Sequence, residues 1–309
     1  MYALKKLNLK DVIFIDIETA RLVKELEIDT PLFDSWQYKV RKETNDEVIS
    51  SYNKEAALYP EFARIVCISV GRIKGNKISI RTSNQENEAE MLEAFCSDLE
   101  KVTDAAPKTA FCGHAVNGFD IPFIFKRCLI NQVEPHILLD TAHLKPWETT
   151  AIDTKDLWKG TSFSPASLIN IAVAFGIPSP KDDISGAEVG DVYWSDDENR
   201  IERISRYCEK DVLTTANVVR KCRFESLLEV DSKNEPEVIE KNPLIKHLFD
   251  GGKYDSEHKD KLVVFIKSLD EENANKVYTI LESIVSTASG KRTKFTKVHV
   301  KELRELCQK

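Results

Sequence analysis

No stretch of the 309-residue chain approaches the ~20 uninterrupted apolar residues that a membrane helix needs. Nor does an apolar run follow the lysines between Met1 and Lys10, as a secretion signal requires. These absences lead to the expectation of a cytoplasmic protein without a membrane partner. A CxxC pair is missing too. The seven cysteines, Cys67, Cys96, Cys112, Cys128, Cys208, Cys222 and Cys307, are odd in number, scattered and mostly set among apolar neighbours. They read as small core residues, not as a zinc site or a disulfide frame. A basic surplus is also lacking, since the formal net charge is −7. That argues against coating nucleic acid by bulk electrostatics. It leaves room for an enzyme, because a site that gathers carboxylates around divalent cations is acidic before the metal arrives. Internal repeats and low-complexity tracts are absent.

What is present is ample core material, 42% hydrophobic, enough for one large domain and a smaller appendage. Asp11 to Ile17 reads as a buried strand, and Ala20 to Glu55 as a polar, helix-leaning excursion. Arg64 to Ile73 and Lys77 to Thr82 are β-rich runs joined through Lys74, Gly75 and Asn76, a hairpin signal, so the first three strands form an antiparallel meander. Asn87 to Val102 has the apolar spacing of an amphipathic helix. Strand signals follow at Thr109 to Gly113 and Ile137 to Asp140, and helix signals at Phe119 to Ile130, Ser167 to Phe175 and Ile201 to Val219. The order predicts an α/β domain with a mixed five-stranded sheet flanked by helices, of ribonuclease H-like type, over 1–228. The polar, proline-bearing stretch Asp231 to Pro243 marks a linker (229–243), and 244–309 forms a small α-helical C-terminal region with helices near Lys259 to Leu269 and Glu272 to Val285.

Asp16 and Glu18 occupy alternate positions of the first strand and so share a face. Two such acids repel unless a cation lies between them, although D-x-E alone also fits a strand-end turn. Asp120 falls at a strand-to-helix junction, where an N-cap role is the competing reading. Tyr207 and Asp211 stack one turn apart on a helix; singly, they read as a surface acid beside a half-buried tyrosine. Acids on a first central strand, at a later junction and on a final helix are where a ribonuclease H-like sheet brings four carboxylates to one edge.

Asp16-Ile17-Glu18, Gly118-Phe119-Asp120 and Tyr207-Cys208-Glu209-Lys210-Asp211 resemble the three motifs of the DnaQ-like DEDD exonucleases. Tyr207 in place of histidine marks the DEDDy branch. The resemblance is to stand-alone bacterial 3′-5′ exonucleases related to the proofreading domain of family-B DNA polymerases. Leu58 to Phe62, Asp153 with Leu157-Trp158, Ser167-Leu168 and Lys181 to Gly186 fit the same group, and the likeness covers about residues 9 to 228. One position departs. The polymerase relatives usually carry asparagine five residues before the aspartate; here that residue is Ala115, and Asn117 lies two places nearer Asp120.

The resemblance implies a metal-dependent 3′-5′ exonuclease that releases nucleoside 5′-monophosphates from DNA, single-stranded or frayed. Asp16 would bridge two Mg²⁺ or Mn²⁺ ions, Glu18 and Asp211 would complete the site of the ion holding the attacking water, and Asp120 would hold the second. Tyr207 orients the water. Thr19, Asn117, Phe119 and Lys181 are the expected strand contacts. Two other readings stay open: an exoribonuclease of ribonuclease D type, and an inactive nucleic-acid-binding or scaffold module. The residues after the linker leave no room for a polymerase palm, so proofreading would serve a separate polymerase or repair protein. Lys291 to Lys301, with five basic residues around Phe295, could grip a strand but reads first as a solvated edge. His114 is expected to make a structural hydrogen bond.

Overall fold

The computed structural model describes residues 2–141, 144–145, 148–149, 151–162, 164–178, 183–230, 242–249, 253–267, 271–285 and 295–307. Two compact units divide the chain, Met1–Asp231 and Ser232–Lys309.

In the first unit an almost wholly buried strand, β1 (Val12–Arg21), pairs antiparallel with β2 (Ala63–Lys74), which turns through Gly75 at φ +67° into β3 (Lys77–Ser83). β4 (Ala110–Gly113) lies parallel to β1, β5 (Ile152–Asp153) parallel to β4, and β6 (Glu229–Val230) parallel to β3, in the order β5-β4-β1-β2-β3-β6. The sheet is mixed as predicted, with five strands in the expected frame and a two-residue sixth at one edge. The fifth strand is not where the sequence placed it. Ile137–Leu139 forms a 3₁₀ turn capped by His136, and its isoleucine is 72% exposed, so that run has no sheet partner on either side.

Helices α1 (Tyr2–Lys6), α2 (Pro31–Val40) and α3 (Asn45–Glu55) precede the hairpin. α4 (Glu88–Ala105), α5 (Asp120–Ile130), α6 (Thr154–Lys159), α7 (Leu168–Phe175), α8 (Val189–Tyr193) and α9 (Arg200–Cys222) follow. Capping explains several boundaries: Thr44 and Glu47 form a reciprocal box at α3, Asn87 caps α4, and α7 runs from Ser167 to a left-handed Gly176. On one sheet face Ile13, Ile15 and Ile17 pack against Phe95 of α4 and Ile121 and Ile124 of α5. On the other, Val12 and Phe14 pack against Val212, Ala216 and Val219 of α9.

A buried ion pair ties α5 to α4 and β2. The Arg127 guanidinium donates to both oxygens of Glu88 and, at 2.9 Å, to the Pro60 carbonyl. Glu88 also accepts the Ile65 N–H at 2.7 Å and the Asn131 amide at 3.2 Å. Every charge there is satisfied, which is the condition for a buried pair not to destabilise the fold.

The second unit contains α10 (Pro243–Phe249), α11 (Ser256–Lys267), α12 (Glu271–Val285) and α13 (Lys297–Cys307) around Ile245, Leu262, Leu281, Phe295 and Leu303. The two expected helices are present, and two more flank them. Phe295 corrects the strand-gripping reading of its segment: it is 2% exposed and packs edge-on against Tyr254, ring centroids 4.7 Å apart, so it cannot stack a base. Of that segment 291–294 lies outside the described residues, while Lys297 and Lys301 lie on α13; most of the expected linker, 231–241, is also outside them.

Candidate active site

The period of two along β1 builds one wall of the site. Ile13, Ile15 and Ile17 point to the α4 and α5 face, so Val12, Phe14, Asp16 and Glu18 form the opposite row, toward α9. Asp16 is half-buried and Glu18 is buried. Beyond Glu18 the register with β2 shifts, Glu18 facing Cys67 and Thr19 facing Ile65, a bulge that turns the strand end just past the acids.

α9 supplies the facing wall. Its buried stripe, Ile204, Cys208, Val212 and Ala216, packs on the sheet. Tyr207 and Asp211, each one residue before a member of that stripe, stand at its half-buried margin one turn apart, and the Tyr207 hydroxyl hydrogen-bonds the Asp211 carboxylate. Asp120 closes the group from a third direction. It opens α5, is 3% exposed, and its Oδ1 accepts the N–H of Ile17, the residue between Asp16 and Glu18, at 3.1 Å. The N-cap position is held by Phe119, not Asp120, whose carboxylate accepts the Ile17 N–H as well as its own.

The electrostatics show how close these groups lie. Burial, then the charges of Asp120 and Asp211, push the Asp16 carboxyl well above its usual range, against a hydrogen bond from Cys208. Burial, then Asp16, does the same to Glu18. Burial and the charge of Asp153 raise Asp120 to about 7 despite the N–H groups it accepts. Tyr207 is raised by burial and by Asp211, Glu18 and Asp16 in turn. Oxygens of Asp16 and Glu18 lie with the Cys208 sulfur within 4.8 Å of one another. A set of hard carboxylate oxygens in which Asp16 and Glu18 are opposed by Asp120 and Asp211 is chemically fitted to a divalent oxygen-seeking cation.

The remaining expected residues fall around this group. The Thr19 hydroxyl donates to the Ala57 carbonyl at 2.7 Å, and Asn117 Oδ1 accepts from the Thr149 hydroxyl at 3.1 Å. Phe119 is half-buried and packs on Phe123, ring centroids 5.2 Å apart. Lys181 lies outside the described residues. Gly186, from the same signature, borders the tyrosine: a methyl group there would stand 3.6 Å from the Tyr207 hydroxyl. His114 Nδ1 bonds the Thr154 hydroxyl at 3.0 Å, the structural role expected.

Two residues that the sequence reading quoted within motifs, without a role, support the site. The Cys208 thiol donates to both the carbonyl and the carboxylate of Asp16, each at 3.3 Å. Asp153 accepts the N–H groups of Ala115 and Asn117, in the turn before Asp120, at 2.9 and 3.2 Å. The position of Cys208 beside Tyr207 was the only available signal for the first. Asp153 was marked by the family resemblance, but its contacts were not, since its partners lie 38 and 36 residues away.

Residues 51–223, more than half of the chain, match the family RNase_H_2, and the chain belongs to the RNase_H superfamily, whose members are typically nucleases. Among solved structures it is similar to the family B DNA polymerase from the hyperthermophilic archaeon Pyrobaculum calidifontis. The TM-score is 0.42 and the identity 15%, over 91% of this chain and 29% of that one. The chain thus spans less than a third of the polymerase's length. No curated protein matches it. Among the described residues no helix is long and apolar enough to cross a membrane.

Proposed function

We propose that this chain is a 3′-5′ exonuclease of the DEDDy type, hydrolysing phosphodiester bonds at the 3′ end of DNA with two Mg²⁺ or Mn²⁺ ions. The observation that carries the reading is the convergence of Asp120 and Asp211, from two other elements far apart in sequence, on the Asp16–Glu18 pair of β1, whose ionisation both oppose, with Tyr207 in the same field and Asp120 bonded to the N–H between the pair. Bound divalent cations supply charge relief at the phosphate and a water acidic enough to attack near neutral pH. Asp16, Glu18, Asp120 and Asp211 are the residues that would hold the ions. The Cys208 thiol donates to the Asp16 carboxylate and so restrains it.

Tyr207 has its proton held more tightly than in free tyrosine, so it is unsuited to act as a base. Its hydroxyl instead orients the attacking water, with Asp211 setting the direction of the O–H. The half-buried Phe119 ring offers an apolar contact to the terminal nucleotide. DNA is favoured over RNA by the likeness of the three motifs to polymerase proofreading domains.

Incubation with 5′-labelled DNA and RNA strands plus Mn²⁺ tests the proposal. Stepwise shortening of DNA is expected, abolished in Asp16→Ala and Asp211→Ala while circular dichroism stays unchanged. Shortening of RNA alone would move the substrate assignment, and no metal-dependent shortening of either strand would overturn the enzymatic reading.

A further inference from the structure

Granted the metal-binding reading of Asp120, we infer that Asp153 is a positioning residue for it, holding the preceding turn in a left-handed conformation that the turn's own sequence disfavours. Ala115 has φ +66°, a region that a residue with a Cβ avoids and glycine or asparagine tolerates. Its surroundings over-determine that conformation. The Ala115 N–H donates to Asp153 Oδ1 at 2.9 Å and the Asn117 N–H to Oδ2 at 3.2 Å, so one carboxylate spans the turn. The Ala115 carbonyl accepts the N–H groups of Gly118 and Phe119 at 3.0 and 2.9 Å. Asp120 comes next, docked on Ile17 N–H.

Asp153 is well placed to act as a fixed point. It is 6% exposed, it pairs in register with Gly113 at the end of β4, and its Oδ1 also accepts the Lys155 N–H at 2.9 Å. Thr154 reinforces the junction, donating to the Gly113 carbonyl at 3.1 Å. The turn has no slack toward β1: a Cβ on Gly113 would lie 2.7 Å from that of Val116 and 3.0 Å from the Ile15 carbonyl oxygen. A continuous path therefore runs from Asp153 through Ala115 and Phe119 to Asp120 and on to the peptide between Asp16 and Glu18. An asparagine at 153 keeps one acceptor and presents an NH₂ group to a backbone N–H. The turn would then lose one of its two anchors.

The test is Mn²⁺ binding to the full chain by titration calorimetry, well below the unfolding temperature, for wild type, Asp153→Asn and the double variant Asp153→Asn/Ala115→Gly. Asp153→Asn should bind Mn²⁺ about 10- to 100-fold more weakly. The double variant should recover to within about threefold of wild type, because glycine takes the same φ without steric cost. Recovery separates positioning from charge, since both variants lack the same carboxylate. Should the single variant fail to fold, the double variant carries the measurement, and weak binding by a folded double variant overturns the inference. Wild-type affinity in Asp153→Asn would likewise reduce Asp153 to a structural residue. If the wild type shows no Mn²⁺ binding sensitive to Asp16→Ala, the metal-binding reading itself falls, and this inference with it.

Discussion

Replacing Asp120 with asparagine should stabilise the metal-free protein while removing its activity, and the structure fixes both the size and the pH window. Burial and the neighbouring Asp153 raise the Asp120 carboxyl from 3.8 to about 7. A folded-state value above the unfolded one means that the folded chain holds a proton the unfolded chain releases. The penalty is absent below about pH 4, grows between the two values, and is complete above about pH 7. Three pH units at 1.36 kcal/mol each give a penalty on the order of 4 kcal/mol at pH 8. Asparagine removes the ionisation but keeps an oxygen that can accept the Ile17 N–H. Urea unfolding in the presence of a chelator at pH 8 should therefore place Asp120→Asn above wild type by a few kcal/mol, with the gap closing toward pH 4. Saturating Mn²⁺ should narrow the gap, because a cation at 100 times its dissociation constant adds about 2.7 kcal/mol to the form that binds it, against a penalty of about 4. A variant no more stable than wild type at pH 8, or a gap that ignores pH, would refute the electrostatic account of the site.

Other expectations follow from particular contacts. Arg127→Met leaves Glu88 charged and buried without its partner and should cost about 3–5 kcal/mol, read from the urea midpoint. Ala115→Gly should be neutral or stabilising by up to about 1 kcal/mol and Ala115→Val destabilising by about 1–2 kcal/mol in thermal melts, the reverse of the usual order for a buried turn. Tyr207→Phe should lower kcat about 100-fold with little change in KM, as expected for a misoriented water. In the wild type the rate should not fall near pH 10, where free tyrosine ionises, because Tyr207 holds its proton beyond that; a fall there would contradict the raised value.

Three of the four candidate acids were legible because they sit in local patterns with a period, whereas Asp120 stands at a strand-to-helix junction. Asp16 and Glu18 follow a strand alternation that the core itself enforces, and Tyr207 and Asp211 follow the stripe of an amphipathic helix. The supporting contacts were not legible, because they are long-range and irregular. Asp153 reaches across 38 residues to a turn whose left-handed residue is an alanine, and nothing in a lone alanine announces positive φ. Ile137 to Asp140 misled for a related reason: three apolar residues and an acid fit a strand or a 3₁₀ turn equally, and only their surroundings choose. Phe295 carried the opposite error, since the lysines beside it suggested exposure while its ring completes the core of the second unit.

The alternation of β1 also has a bearing on error. A single slip of that strand by one residue would send both carboxylates into the layer of Phe95 and Ile121 and turn Ile17 out toward α9. Misfolded chains of this type would lose the proposed cation site, so metal uptake, if measured, would report that the central strand has been laid down in frame. An insertion or deletion within 12–18 would erase stability and chemistry together, and change in this part of the protein is confined to substitution.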